Sequence, residues 1–240
     1  MFFVFYLHTC IFFCTFAAWK EWFNPKSKLG TMLEAFRKTH DYLVEHVQVP
    51  ARRVLQDEIN WSDRLIAIKG GRGVGKTDFL LNYAKEQRRL NPEESRHTLY
   101  VNFNDFYFTE HSLLELAGQF VAAGGKTLLV DQAFKDPNWS SELAQCYYRY
   151  PNLQIIFIAS AVMRLVEDNK DIGSIVHPYN LRGYSFREYL NITLGLKLPV
   201  YSLEDILKHH VEIAQNICQI IKPLQYFGDY LHHGYYPLFL

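Results

Sequence analysis

The sequence predicts an α/β fold: a parallel β-sheet between two layers of helices, followed by a helical segment. Three observations carry that expectation. Short, continuous runs of aliphatic, β-branched and aromatic residues recur along the chain, suited to strands buried on both faces. Stretches with helical apolar spacing separate these runs. One glycine-rich loop joins such a run directly to such a stretch.

The elements follow in chain order. In "RLIAIKGGRGVGKTDFLL" a strand over Leu65 to Ile68 enters the loop, and Phe79, Leu80 and Tyr83 then share one helical face. "HTLYVNFND" (97–105) reads as a second strand ending at Asp105. A helix is expected over 112–125, with Ser112 and Glu115 in capping-box register and Gly124-Gly125 as its stop. "TLLVDQ" (127–132) is a third strand that delivers Asp131 to its end, and "LQIIFIAS" (153–160) is a fourth. Ser185-x-x-Glu188 forms another capping box, flanked by Arg182 and Arg187. Either arginine could reach phosphate, but the box favours a capped helix with solvated charges. The stretch 202–221 has the spacing of an amphipathic helix packing on the core. The expected organisation is an apolar segment over 1–31, a helical lead-in over 32–63, the α/β core over 64–182 and a helical segment over 183–240.

With 240 residues the chain can bury one good core, or one domain and part of another. Its 25 basic and 25 acidic residues cancel, so no global field points to nucleic acid or anionic lipid. Cys10, Cys14, Cys146 and Cys218 lack both metal-site spacing and the density of a disulfide scaffold, which fits a reducing compartment. Adjacent histidines at 209–210 and 232–233 point apart on a helix and do not converge on a metal. The opening "MFFVFYLHTCIFFCTFAAW" is uncharged, and only His8, Thr9 and Thr15 lie outside the apolar set. It lacks the positive start and small-residue cleavage site of an export signal. Two readings remain: translation upstream of a start at Met32, or a membrane anchor with Lys20, Lys26 and Lys28 on the cytoplasmic side.

The glycine loop carries the chemistry. Gly70-x-x-x-x-Gly75-Lys76-Thr77, between a strand and a helix, is a complete Walker A motif. Glycines 70, 71, 73 and 75 allow the chain to curl, so that the backbone N–H groups from Gly70 through Val74 to Thr77 face one anion at the positive end of the next helix. Lys76 reaches the β- and γ-phosphates, and Thr77 offers its hydroxyl to Mg2+. Arg72 is either a further phosphate contact or a solvated loop arginine. "EDNKDIG" (167–173) fails the Asn-Lys-x-Asp spacing of a guanine site, so the expected ligands are ATP and Mg2+. The residue after Asp131 is the conflict. An ATP-hydrolysing protein usually places glutamate there as the base, and this chain has Gln132.

Taken together, "DRLIAIKGGRGVGKTDFLLNYAKE", "LYVNF", "PNWSSEL", "YNLRGYSFREYLN" and "PVYSLEDIL" resemble the bacterial AAA-type ATP-binding proteins, especially those of the Bacteroidetes kind. The likeness runs from Met32 to the last residue. It implies a P-loop ATPase domain followed by a winged-helix segment and a further domain often compared with nucleases, of which this chain matches the front part. It assigns Gly70, Gly75, Lys76 and Thr77 to phosphate and magnesium, and Asp131 to the magnesium water shell. Three departures from the family pattern stand out. Asp-Glu-x-His-Lys is here Asp131-Gln132-Ala133-Phe134-Lys135, Gly-Ser-Ser is Ala159-Ser160-Ala161, and an arginine pair ahead of Val176 is Ser174-Ile175. The expectation is therefore an ATP-binding AAA-type protein with weakened hydrolysis, its alternative an ATP-binding switch or truncated pseudoenzyme. In the family the arginine pair serves as a finger toward a neighbour's phosphate, so a homo-oligomer is a possible partner arrangement for this chain. The expected location is the cytoplasm, or the inner membrane facing it if residues 1–31 form an anchor.

Overall fold

The computed structural model describes residues 30–49 and 52–237. The expectations for the apolar opening, and for Leu238 to Leu240, fall outside the described residues. Two compact units divide at Ala35 and Phe36. Of the first, only the opening of helix α1 (Gly30–His46) is described.

The second unit is built on a five-stranded parallel sheet of order β2-β3-β4-β1-β5. The strands are β1 (Leu65–Gly70), β2 (Thr98–Asn102), β3 (Thr127–Asp131), β4 (Gln154–Ser160) and β5 (His177–Asn180). Leu65, Ile66, Leu128, Leu129, Ile155 and Ile156 are wholly buried, as side chains covered on both faces of a parallel sheet must be. The covering elements include α3 (Lys76–Leu90), α4 (Leu113–Ala122) and α5 (Trp139–Arg149). Ser112 caps α4 by accepting from the Glu115 N–H, as its register predicts.

β2 lies at the edge, where unpaired backbone groups need partners. Helix α1 supplies them. Arg37 Nη1 donates to the Thr98 carbonyl at 2.7 Å, and the Tyr100 N–H donates to His40 Nδ1 at 3.0 Å. His40 is buried and must be neutral to accept that bond. Burial lowers its pKa from 6.5 to about 4, reinforced by Arg88 and Arg37 and opposed by Asp41.

Three expectations need correction. The second strand ends at Asn102, and Asp105 instead caps the following turn by accepting from the Tyr107 N–H at 3.0 Å. β5 was not anticipated. It has four residues, includes Pro178, and lacks an apolar run, so pairing with β1 rather than composition makes it a strand. The helix expected over 202–221 forms as α8 (Leu203–Ile220), after α6 (Leu165–Asp168) and α7 (Phe186–Leu194), but none of its residues is buried. Its Ile206, Leu207 and Val211 are exposed instead of packing on the core. A last short helix, α9 (Leu224–Asp229), leads into the C-terminal turn. Among the described residues no helix is long and apolar enough to cross a membrane.

His40 gives the fold a pH signature. Because its folded pKa is depressed, its contribution is complete above the unfolded value of 6.5 and is lost as pH falls toward about 4. Urea denaturation at stepped pH should show wild type losing up to about 3 kcal/mol more across that window than His40→Gln, which cannot be protonated there.

Candidate nucleotide site

The glycine loop lies between β1 and α3, at the carboxyl ends of the strands. Gly75 is the residue before α3 and has φ 86° and ψ 33°, in the left-handed region where a side chain is strained. Gly70 is required for a different reason. A Cβ on it would lie 2.5 Å from the Leu181 carbonyl oxygen, because Leu181 itself donates its N–H to the Lys69 carbonyl at 2.7 Å. Val74 is buried, while Gly71, Arg72 and Gly73 are exposed, and α3 begins at Lys76 with its free N–H groups facing the loop.

Lys76 folds over this loop. Its Nζ donates to the carbonyls of Gly70 at 2.9 Å and Gly71 at 2.6 Å, which leaves one ammonium donor. Burial lowers its pKa, and the nearby Asp131 carboxylate works against that shift.

Next to it stands a buried carboxylate. Asp131, at the end of β3, is 1 % exposed. Its Oδ2 accepts from Thr77 Oγ1 at 2.7 Å and from the Tyr100 hydroxyl at 2.9 Å, while Oδ1 is buried with no partner. A buried carboxylate oxygen without a donor is costly. If a hard divalent cation were bound here, Thr77 and Asp131 would be the oxygen-bearing side chains to hold it, with water supplying the remaining ligands. Asp78 feels the same charge: lost hydration, then the Asp131 charge, raise its pKa.

Gln132 follows Asp131 with φ 59° and ψ 25°, the one positive-φ non-glycine among the described residues. Its neighbour in the turn, Lys135, donates its N–H to the Gln132 carbonyl at 3.1 Å. Holding glutamine in the left-handed region costs of order 1 kcal/mol, and such positions cluster at functional sites. Ser160 pairs in register with Gly70, and the Ala161 N–H donates to the Gly70 carbonyl at 3.2 Å, so Ala159-Ser160-Ala161 ends beside the loop. Ser174-Ile175 lies in the turns before β5, where the Ile175 N–H donates to Ile172.

The C-terminal segment also returns here. The Tyr184 N–H donates to the Tyr235 carbonyl at 2.8 Å. A Cβ placed on Gly73 would be 3.6 Å from the Tyr236 ring, and one on Gly75 3.3 Å from Pro237.

Sequence spacing leaves two groups of this neighbourhood unseen. One is Tyr100, whose alternation within β2 sets its hydroxyl against Asp131. The other is the pair Arg53 and Glu188. The predicted box at the start of α7 is complete, with Ser185 and Glu188 capping each other. Glu188, however, is not a solvated charge: it is 7 % exposed and its Oε1 accepts from Arg53 Nε at 3.3 Å. Arg182 contributes its carbonyl rather than its side chain, accepting from Arg53 Nη2.

A parallel sheet of this order, with a glycine loop running from its strand β1 into the helix behind, defines the P-loop NTPase class. The chain belongs to the AAA domain family, whose model matches residues 62–190. No curated protein matches it in sequence. Similar solved structures include PCH-2 of C. elegans, at 16 % identity and TM-score 0.39 over 63 % of this chain and 42 % of that one. The ORC1 protein of Aeropyrum pernix in complex with DNA is 16 % identical with TM-score 0.41, over 66 % of this chain and 48 % of that one. AMPPCP-bound DnaA from Aquifex aeolicus is 17 % identical with TM-score 0.37, over 83 % of this chain and 66 % of that one. The chain thus spans less than two thirds of the length of each.

The burial of Asp131 makes Tyr100 a measurable support. Tyr100→Phe removes one of two donors to a buried carboxylate and should destabilise the protein by about 1–3 kcal/mol in urea denaturation.

Proposed function

We propose that the chain binds ATP with Mg2+ and hydrolyses it slowly. The observation that carries this reading is the unpartnered Oδ1 of Asp131 beside the Thr77 hydroxyl, at the foot of a loop whose Gly75 adopts the left-handed conformation. The residues from Gly70 to Thr77 bind the phosphates through backbone N–H groups and the Lys76 ammonium; Arg72 faces solvent at the rim. Thr77 and Asp131 hold the metal, Asp131 through water. Bound MgATP supplies a transferable γ-phosphoryl group and the cation that offsets its charge.

At the position after Asp131 an amide stands where a base is usual. Gln132 can accept a hydrogen bond from a water and orient it, but an amide does not take up the proton. A positioned base contributes typically 10²–10⁴ in rate, and an arginine finger about 10³–10⁵. Neither Gln132 nor Ser174-Ile175 supplies these, so binding outlasts turnover. A second reading, an ATP-binding switch or truncated pseudoenzyme without turnover, is favoured by the same departures if Gln132 orients no water. The finer likeness to bacterial proteins of the Bacteroidetes kind, the division into a core over 64–182 and a helical segment over 183–240, homo-oligomerisation and a cytoplasmic location belong to this proposal.

Calorimetry on the full chain should find MgATP binding that Lys76→Ala abolishes, and Gln132→Glu should raise hydrolysis by up to about 10²–10⁴ without a large change in affinity. Equal ATP affinity in wild type and Lys76→Ala would remove the site. Wild type turning over as fast as Gln132→Glu would show that another group supplies the base.

A further inference from the structure

We propose that Arg53 is the positioning residue of the phosphate loop, holding the Val74–Gly75 peptide so that the Gly75 N–H is turned toward bound phosphate. The proposal rests on the nucleotide reading above and adds the group that shapes the loop from behind.

Arg53 precedes α2 (Leu55–Glu58) and is only 7 % exposed, unusual for a guanidinium with no ligand of its own. Its contacts join chain segments that sequence holds far apart. Nη1 donates to the Val74 carbonyl at 3.2 Å, Nη2 to the carbonyls of Arg182 and, at 3.1 Å, Gly183, and Nε to Glu188 Oε1 at 3.3 Å. Its Cζ lies 4.5 Å from the Tyr184 ring centroid. Glu188 is fixed in turn, since its Oε1 also accepts from the Val54 N–H and its Oε2 from the Ser185 N–H and hydroxyl.

The bond to Val74 acts through peptide geometry. No peptide bond among the described residues is cis, so the Val74 carbonyl and the Gly75 N–H, which share one plane, point in opposite directions. Fixing the carbonyl on Arg53 therefore fixes that N–H on the far side. Lys76 does the same at the loop's start by holding the Gly70 and Gly71 carbonyls, but the Val74–Gly75 peptide is beyond those two bonds. Gly75, at φ 86°, has its own carbonyl held by the Phe79 N–H at 2.9 Å, so the bond to Val74 fixes the peptide on its other side. Among the described residues Arg53 is the side chain that donates to the Val74 carbonyl. Only a planar fork can meet Val74, Gly183 and Glu188 together, which a lysine ammonium on one stem does not. Glu188 balances the charge, so the clamp orients the loop without adding net charge to it.

The test compares Arg53→Lys, Arg53→Met and Glu188→Gln in the full chain, by MgATP calorimetry and by 15N–1H spectra of the nucleotide-free protein. Losing a bond from a charged donor should weaken MgATP roughly 10- to 100-fold in Arg53→Met, with Arg53→Lys, which keeps the charge, in between. Both variants should shift the Gly75 amide signal without nucleotide present. Glu188→Gln should lower thermal stability and change affinity less than about threefold, since the Val74 bond survives. Wild-type affinity and an unmoved Gly75 amide in Arg53→Lys would overturn the proposal. So would an equal affinity loss in Glu188→Gln, which would make the whole cluster merely structural. If wild type itself binds no MgATP, the nucleotide reading fails, and the Gly75 amide still decides whether Arg53 sets the loop.

Discussion

A buried carboxylate with one oxygen unanswered is the constraint around which this protein is arranged. Asp131 sits at the end of a central strand at 1 % exposure, with Thr77 and Tyr100 on one oxygen and nothing on the other. Burying a charge is unfavourable unless its surroundings compensate, and donors to one oxygen compensate only half. The edge strand β2 must be in register to bring Tyr100 there, and α1 keeps that edge paired through Arg37 and His40. The glycine loop must turn at Gly75 to bring Thr77 there at the head of α3. The fold thus brings Thr77, Tyr100 and Asp131 together at the head of α3.

Around that site the loop is held from two sides. Lys76 ties its opening carbonyls, and Arg53 ties Val74 to the segment 182–188 that begins the helical region. The same segment receives the returning C-terminal residues, through Tyr184 to Tyr235 and through the Tyr230 hydroxyl to the Tyr184 carbonyl at 2.9 Å. Segment 182–188 is thus hydrogen-bonded both to the glycine loop, through Arg53, and to the C-terminal residues. The exposed face of α8 is not part of that network, since none of its residues is buried.

Sequence carried the central strands and the loop because their signals are local. β1, β3 and β4 are apolar runs, and the turn from β1 to α3 is marked by glycine, lysine and threonine at fixed spacing. β5 was illegible because His177-Pro178-Tyr179-Asn180 becomes a strand only by lying beside β1. The second strand stops at Asn102 rather than Asp105 because the Asp105 side chain caps the following turn, which the run of residues does not announce. Tyr100 and Arg53 were invisible for the same reason as each other. Their partners lie 31 and 21 residues away, and Glu188 lies 135 residues from Arg53, so only the folded chain pairs them. The left-handed backbone of Gln132 was not legible, since glutamine carries no such preference.

The central claim of the proposed function is that Asp131 Oδ1, which has no hydrogen-bond donor, receives the water shell of a cation. Thermal denaturation of wild type and Asp131→Asn, each alone, with ATP and with MgATP, tests it most directly. The account predicts that the nucleotide-free variant is as stable as wild type or more so, because a buried charge has been removed, and that magnesium no longer adds to the stabilisation by ATP. A variant much less stable without nucleotide, whose stabilisation by ATP still depends on magnesium, would contradict it and make Asp131 a structural anchor instead.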